Sequence, residues 1–97
     1  MSKYMNVVRF RVKPEFKDVI VSEFAAFERP SGYQMGRLIQ TGEFTYCSVG
    51  EWDNQASLIN ARPAMISFLD SVRHMLEEIS PELGVTDPVS GPVVQEQ

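Results

Sequence analysis

The chain reads as a single α+β domain: one four-stranded antiparallel sheet with helices on one of its faces. Three observations predict it. Runs of alternating apolar residues exchange with runs of helical spacing, glycine and proline punctuate each hand-off, and 97 residues suffice for one domain but not two. The expected domain is residues 1–97, with its core in 4–94 and a frayed tail at 95–97.

YMNVVRFRV, residues 4–12, opens the pattern with a period of two. It sets Asn6, Val8, Phe10 and Val12 on one face, and Met5, Val7, Arg9 and Arg11 on the other. β-branched and aromatic residues dominate the run, as a first strand requires. Pro14 then suits a first helical turn, and Glu15 complements the helix dipole. Phe16, Val19, Ile20, Glu23, Phe24 and Phe27 follow at helical spacing, so an amphipathic helix is expected over about residues 14–28. Pro30 and Gly32 break that pattern into a loop.

YQMGRLIQT and FTYCSVGEW are two β-rich runs joined by Gly42-Glu43, which is a hairpin signal. Gly36 and Gly50 inside them point to a bulge, or to something packed close to the backbone. Asp53 or Asn54 can cap a short helix over about 54–62, which Pro63 ends while opening a second helix. Along that second helix Met65, Phe68, Leu69, Val72, Met75, Leu76 and Ile79 fall within about 60° of one direction, and Ser80-Pro81 stops it. Val85, Thr86, Val89, Val93 and Val94 suggest a last strand that includes Pro88 and Pro92. It is therefore an edge strand, or one broken by a turn at Val89-Ser90-Gly91.

The resulting order, β-α-β-β-α-β, is the split βαβ arrangement of ferredoxin-like folds. Right-handed crossovers place both helices on one face of the sheet and leave the other bare. The bare face carries Val7 beside Arg9 and Arg11. Burying it against a second copy would enlarge the modest core of so small a chain, so a homodimer is expected.

Composition removes several function classes. The net charge is −4, and the basic residues are scattered rather than gathered, so no nucleic-acid partner is expected. No stretch approaches the roughly 20 apolar residues of a membrane span, and the first residues lack the apolar block of a secretory signal. A membrane partner is thus not expected either. The single cysteine, Cys47, cannot form an internal disulfide, which fits a reducing, cytoplasmic setting. One histidine and one cysteine do not make a metal site, and no glycine-rich phosphate loop is present. No metal and no cofactor are therefore expected.

Taken together, YMNVVRFRVKPEFKD, PSGYQMGRLIQ, SVGEWDNQASL and the proline-started RPAMISFLDSV resemble the antibiotic biosynthesis monooxygenase family, over residues 4–94. That family lies within the dimeric α+β barrel superfamily. The resemblance implies a homodimer whose two sheets face each other, helices outside. It also implies a cavity between each sheet and its own helices that takes a small, flat or apolar organic molecule. Family members include oxygenases that need no metal or flavin and act on phenolic or quinol substrates, haem degraders, and proteins without established activity. The resemblance thus implies a cofactor-independent monooxygenase of a small aromatic or quinol-like substrate. The alternative is a non-catalytic dimer of the same fold that binds a small molecule or a partner.

Candidate residues follow. Trp52 matches a tryptophan that lines the substrate cavity in many relatives, although a lone tryptophan at a strand–helix junction also serves as a core plug. Asn6 lies near an asparagine that polarises oxygen or substrate in some relatives, and otherwise needs a structural partner among its apolar neighbours. Tyr33 and Arg37, counted by twos, share a face of strand two, and Tyr46 shares a face with Trp52. A phenol and a guanidinium converging in an apolar cavity could orient a phenolate or carboxylate. The alternatives are an ion pair of Arg37 with Glu51 or Glu43, and packing roles for the tyrosines. The catalytic candidates are then Asn6, Trp52 and Tyr46, and the substrate-binding set is Trp52, Asn6, Tyr33, Arg37 and Phe68. His74 points about 160° from the apolar stripe, in a polar row with Asp70 and Glu78, and so away from the cavity. Many relatives carry a histidine between the proline and the methionine where this chain reads Pro63-Ala64-Met65. Alanine can neither take a proton nor ligate iron, which weakens the haem-degrading and quinol-oxidising readings alike.

Overall fold

A computed structural model of the chain describes residues 2–97, and it holds one antiparallel sheet with both helices on the same side. β1 (Tyr4–Val12) matches the span read from its alternation and lies at the centre of the sheet. It pairs with β3 (Thr45–Trp52) on one flank and with β5 (Thr86–Pro92) on the other, and β2 (Tyr33–Gln40) forms the edge beyond β3. β5 is one unbroken edge strand, where proline's missing N–H can face away from the ladder.

Five strands stand where four were expected. β5 accompanies β1 only from Tyr4 to Phe10, which leaves the backbone of Arg11 and Val12 unpaired on that flank. β4 (Leu76–Glu77) fills the gap, with Leu76 opposite Val12 and Glu77 opposite Arg11. The same demand corrects the helices. Instead of a short helix followed by a longer one, α2 (Gln55–Val72) is a single helix with Pro63 inside it. It stops at Val72 rather than at Ser80, and a 3₁₀ turn, Arg73–Met75, delivers Leu76 to the sheet. Met75 and Leu76 are both buried in the core as the stripe required, but Met75 from the turn and Leu76 from the short strand rather than from the helix. α1 (Lys17–Ala25) is also shorter than read, because Pro14–Phe16 forms a separate 3₁₀ turn before it. At the tail, Glu96 reaches Lys3 at 2.9 Å in an exposed ion pair.

Strand register decides which side chains meet the helices. Asn6 pairs with Gly50, Val8 with Ser48 and Phe10 with Tyr46, so these residues face α1 and α2. In β2 the register shifts between Tyr33 and Met35. Tyr33 pairs with Trp52 on the helix side, while Arg37 pairs with Val49 on the other. The expectation that Tyr33 and Arg37 share a face fails at that bulge, since one extra residue reverses the alternation.

Two clusters of buried residues form on the helix side. One holds Phe10, Val12, Ile20, Tyr46, Val72, Met75 and Leu76; the other holds Trp52, Leu58 and Ala61, with Tyr4, Tyr33 and Met65 against it. Asn54 caps α2 by accepting the Ser57 N–H at 2.9 Å, which fixes where the helix leaves Trp52. The opposite face of the sheet has no cover. Met5, Val7, Met35, Ile39, Val49 and Val89 lie on it, crossed by an ion pair from Arg9 to Asp87. Cys47 belongs to that face too, buried between Arg9 and Ile39 rather than in the helix-side core.

Candidate functional site

Between the sheet and its two helices lies a half-open chamber of about 910 Å³, within the range of small-molecule sites. Residues of both buried clusters line it, Phe10 and Val72 from one and Trp52 and Leu58 from the other. The space is where the two halves of the core fail to meet.

Trp52 is 1% exposed and packs on Leu58 and Ala61, yet its ring also lines the chamber. It is plug and wall at once. Its indole Nε1–H donates to Asn6 Oδ1 at 2.8 Å. An indole can only donate, so this bond fixes the Asn6 amide with its oxygen toward Trp52. The remaining Nδ2 group carries two N–H donors on a side chain that lines the cavity. Asn6 therefore has N–H donors left to offer the chamber.

Tyr33 lies against Trp52 with ring centroids 4.8 Å apart, tilted by 56°. Its position explains the two strand glycines. A side-chain carbon at Gly36 would fall on the Tyr33 phenol oxygen, and one at Gly50 would lie 2.6 Å from Asn6 Oδ1 and 3.0 Å from the Tyr33 ring. The paired glycines form a bare patch of backbone under the side chains of Asn6, Tyr33 and Trp52. Burial raises the Tyr33 phenol above its ordinary pKa, and the Arg29 and Arg37 charges pull it partly back. At neutral pH it is an uncharged O–H donor.

Phe68 contributes to the apolar roof, edge-on to Phe24 at 5.0 Å and tilted on Phe27 at 5.1 Å. Arg37 rises from the far face of β2 but is anchored by donating to the Gly36 carbonyl at 2.8 Å, and it reaches the chamber rim. It pairs with neither Glu51 nor Glu43. Thus Asn6, Trp52, Tyr33, Arg37 and Phe68 come together around one space. Tyr46 does not: it is buried in the larger cluster, stacked on Phe10 at 5.8 Å, and lies outside the lining.

Two rim residues escaped the sequence reading, Arg29 and Arg62. Arg62 stands four residues after Leu58 and three before Met65, so an unbroken helix would have put it on the inner stripe. Arg29 sits in the loop before β2, where periodicity carries no signal; only its spacing to Tyr33, whose ring its guanidinium overlies at 5.4 Å, hints at a role. His74 is exposed, with Phe16 edge-on to it, and is not among the lining residues. Ala64 is exposed and outside the lining as well. The lining includes no Asp, Glu, His, Lys or Cys. Among the described residues no three His, Cys, Asp or Glu side chains gather as metal ligands, and no helix is long and apolar enough to cross a membrane.

No protein-family model and no curated protein sequence matches the chain. Solved structures do. A Chloroflexus aurantiacus protein provisionally named an antibiotic biosynthesis monooxygenase superposes with a TM-score of 0.76 at 13% identity, covering 99% of this chain and 97% of its own. A mutant of SnoaB, a cofactor-independent oxygenase from Streptomyces nogalater, gives 0.72 at 17% identity over 99% and 97%. A dimeric ferredoxin-like protein from an uncultured marine organism gives 0.71 at 11% identity over 100% and 92%. The fold implied by the sequence resemblance is the fold found.

Proposed function

We propose that the chain is a cofactor-independent monooxygenase acting on a small phenolic or quinol-like aromatic molecule held between sheet and helices. The observation that carries this reading is the hydrogen-bonded pair of Trp52 and Asn6 on the wall of an otherwise apolar chamber. Likeness in fold to structures named monooxygenase and oxygenase supports it. An electron-rich phenol can supply its own electrons to dioxygen. In the conversion of a phenol with a free para position to its quinone, the ring C–H becomes C=O, and the second oxygen atom leaves as water with two hydrogens. The reaction balances without an external reductant. The chain's part is to desolvate the ring among Phe24, Phe68 and Met65 and to stabilise charge developing on an oxygen atom with the Asn6 N–H donors.

A second copy closing the bare face of the sheet completes this reading, supported by the apolar residues there and by the dimeric fold neighbour. The lone cysteine fits a cytoplasmic setting. One observation favours a rival: the lining has no carboxylate or imidazole to act as a general base, as a non-catalytic binder of small molecules would have none. Oxygen uptake decides between them. Purified protein with naphthols and quinols should consume oxygen, and Asn6→Ala should lower the rate by about 10²-fold if one charge-stabilising donor is lost. Ligand-dependent rise in melting temperature with no oxygen uptake on any compound would leave only the binder.

A further inference from the structure

We infer that the ligand of this chamber enters as an anion, its negative oxygen held at the rim by Arg29, Arg37 and the Tyr33 hydroxyl, and its flat apolar body inside. The inference rests on the chamber proposed above as the ligand site and adds the charge state of what binds there.

The chain carries 13 acidic residues against nine basic ones, yet every charged residue of the lining is an arginine: Arg29, Arg37 and Arg62. Outside the lining Arg9 pairs with Asp87 and Arg73 with Asp70, while Arg11 has no carboxylate partner among the described residues. Among the described residues none of the three rim arginines has such a partner. Asp53, at the start of the loop into α2, accepts from the Ser57 hydroxyl and does not neutralise them. A concentration of unpaired positive charge beside an apolar cavity is an electrostatic receptor for an anion.

The geometry is also that of a prepared site. Arg29 donates to the Gln34 carbonyl at 3.0 Å and Arg37 to the Gly36 carbonyl at 2.8 Å, so both guanidiniums are tethered to the β2 backbone just after Tyr33. Each guanidinium has five N–H donors, and one tether leaves most of them free. Tyr33 itself stays protonated, since burial disfavours its phenolate, and can donate to an oxygen anion between the two arginines. This arrangement answers the want of a base in the lining. A phenol bound against two cations ionises more readily, so it needs no side chain to remove its proton; the proton goes to solvent at the open rim.

A nitronaphthol with a coloured anion tests the idea, because its titration can be followed while bound. With saturating protein the colour should appear at lower pH, corresponding to a gain in acidity of about tenfold or more, as adjacent opposite charge produces. Arg29→Gln combined with Arg37→Gln should abolish the shift, and the charge-retaining Arg29→Lys, Arg37→Lys pair should restore part of it. The methyl ether of the same naphthol, which cannot ionise, should bind more weakly at neutral pH and be indifferent to both pairs of substitutions. A bound naphthol whose titration is unchanged or moves to higher pH overturns the inference while leaving the oxygenase reading intact. Failure of both the naphthol and its ether to bind overturns the chamber as a ligand site, and the inference with it.

Discussion

Gly50 is one of two glycines in the lining, and both are closely enclosed. A methyl group at Gly50 would lie 2.6 Å from the oxygen that receives the Trp52 indole proton, and the same carbon would press on the Tyr33 ring. Gly50→Ala should therefore push the Asn6 amide off Nε1 and leave a buried donor unpaired, a loss of about 1–3 kcal/mol. Gly91→Ala is the matched control, since a methyl group at that position of β5 meets nothing within 4 Å. Urea unfolding of the two variants separates the cases: equal midpoints would mean that Asn6 and Tyr33 can move aside. At this scale the sequence was legible in part. Alternation put Asn6 on the helix side, and the glycines announced a close contact without saying with what. The Tyr33–Arg37 relation was not legible because Gly36 signals a bulge without fixing its position, and the shift at residue 34 reverses every later side chain of β2.

Elements obey local preference until a longer-range demand outweighs it. The stripe from Met65 to Ile79 is buried or half-buried throughout, as its spacing required, yet Met75 lies in a turn, Leu76 in a strand and Ile79 beyond both. Helical periodicity specifies a buried side and not the backbone that buries it. The unpaired end of β1 supplied the missing information, and only the assembled sheet contains it. Pro63 misled for the opposite reason. A proline inside a helix deletes one hydrogen bond and costs about 3 kcal/mol, which reads as a boundary. Here Pro63 is exposed and so is Ile59, whose carbonyl loses its donor, so water can take the vacant acceptor and the helix continues. Pro63→Ala should accordingly stabilise the protein by about 1–3 kcal/mol, read as a higher melting temperature. A lower melting temperature would show instead that the proline bend is required for α2 to pass over the chamber.

The whole molecule presents two faces of opposite character, and one of them stands uncovered. On the helix side the core divides around a chamber. On the other side Ile39 and Val89 are 50% and 62% exposed, flanking Val7 and Val49 at the centre of the sheet. An apolar strip of this kind, edged by Arg9, Arg11 and Arg37, suits a surface that meets its own copy. Alternation showed the β1 part of this face, Val7 beside Arg9 and Arg11, because β1 and β3 keep regular register through their whole length; Ile39 was hidden by the bulge that reverses β2. Light scattering should therefore give a particle of twice the 11.0 kDa chain mass. Val49→Glu places a charge in the middle of the strip without touching the helix side, so it should give single chains whose far-UV circular dichroism is unchanged. If the pairing also shields the sheet that floors the chamber, those single chains should melt lower than the pair and show concentration-independent melting, whereas the parent protein's melting temperature rises with concentration. A parent protein that scatters as one chain across the same concentrations would remove the second copy, and with it the reason for so apolar a surface.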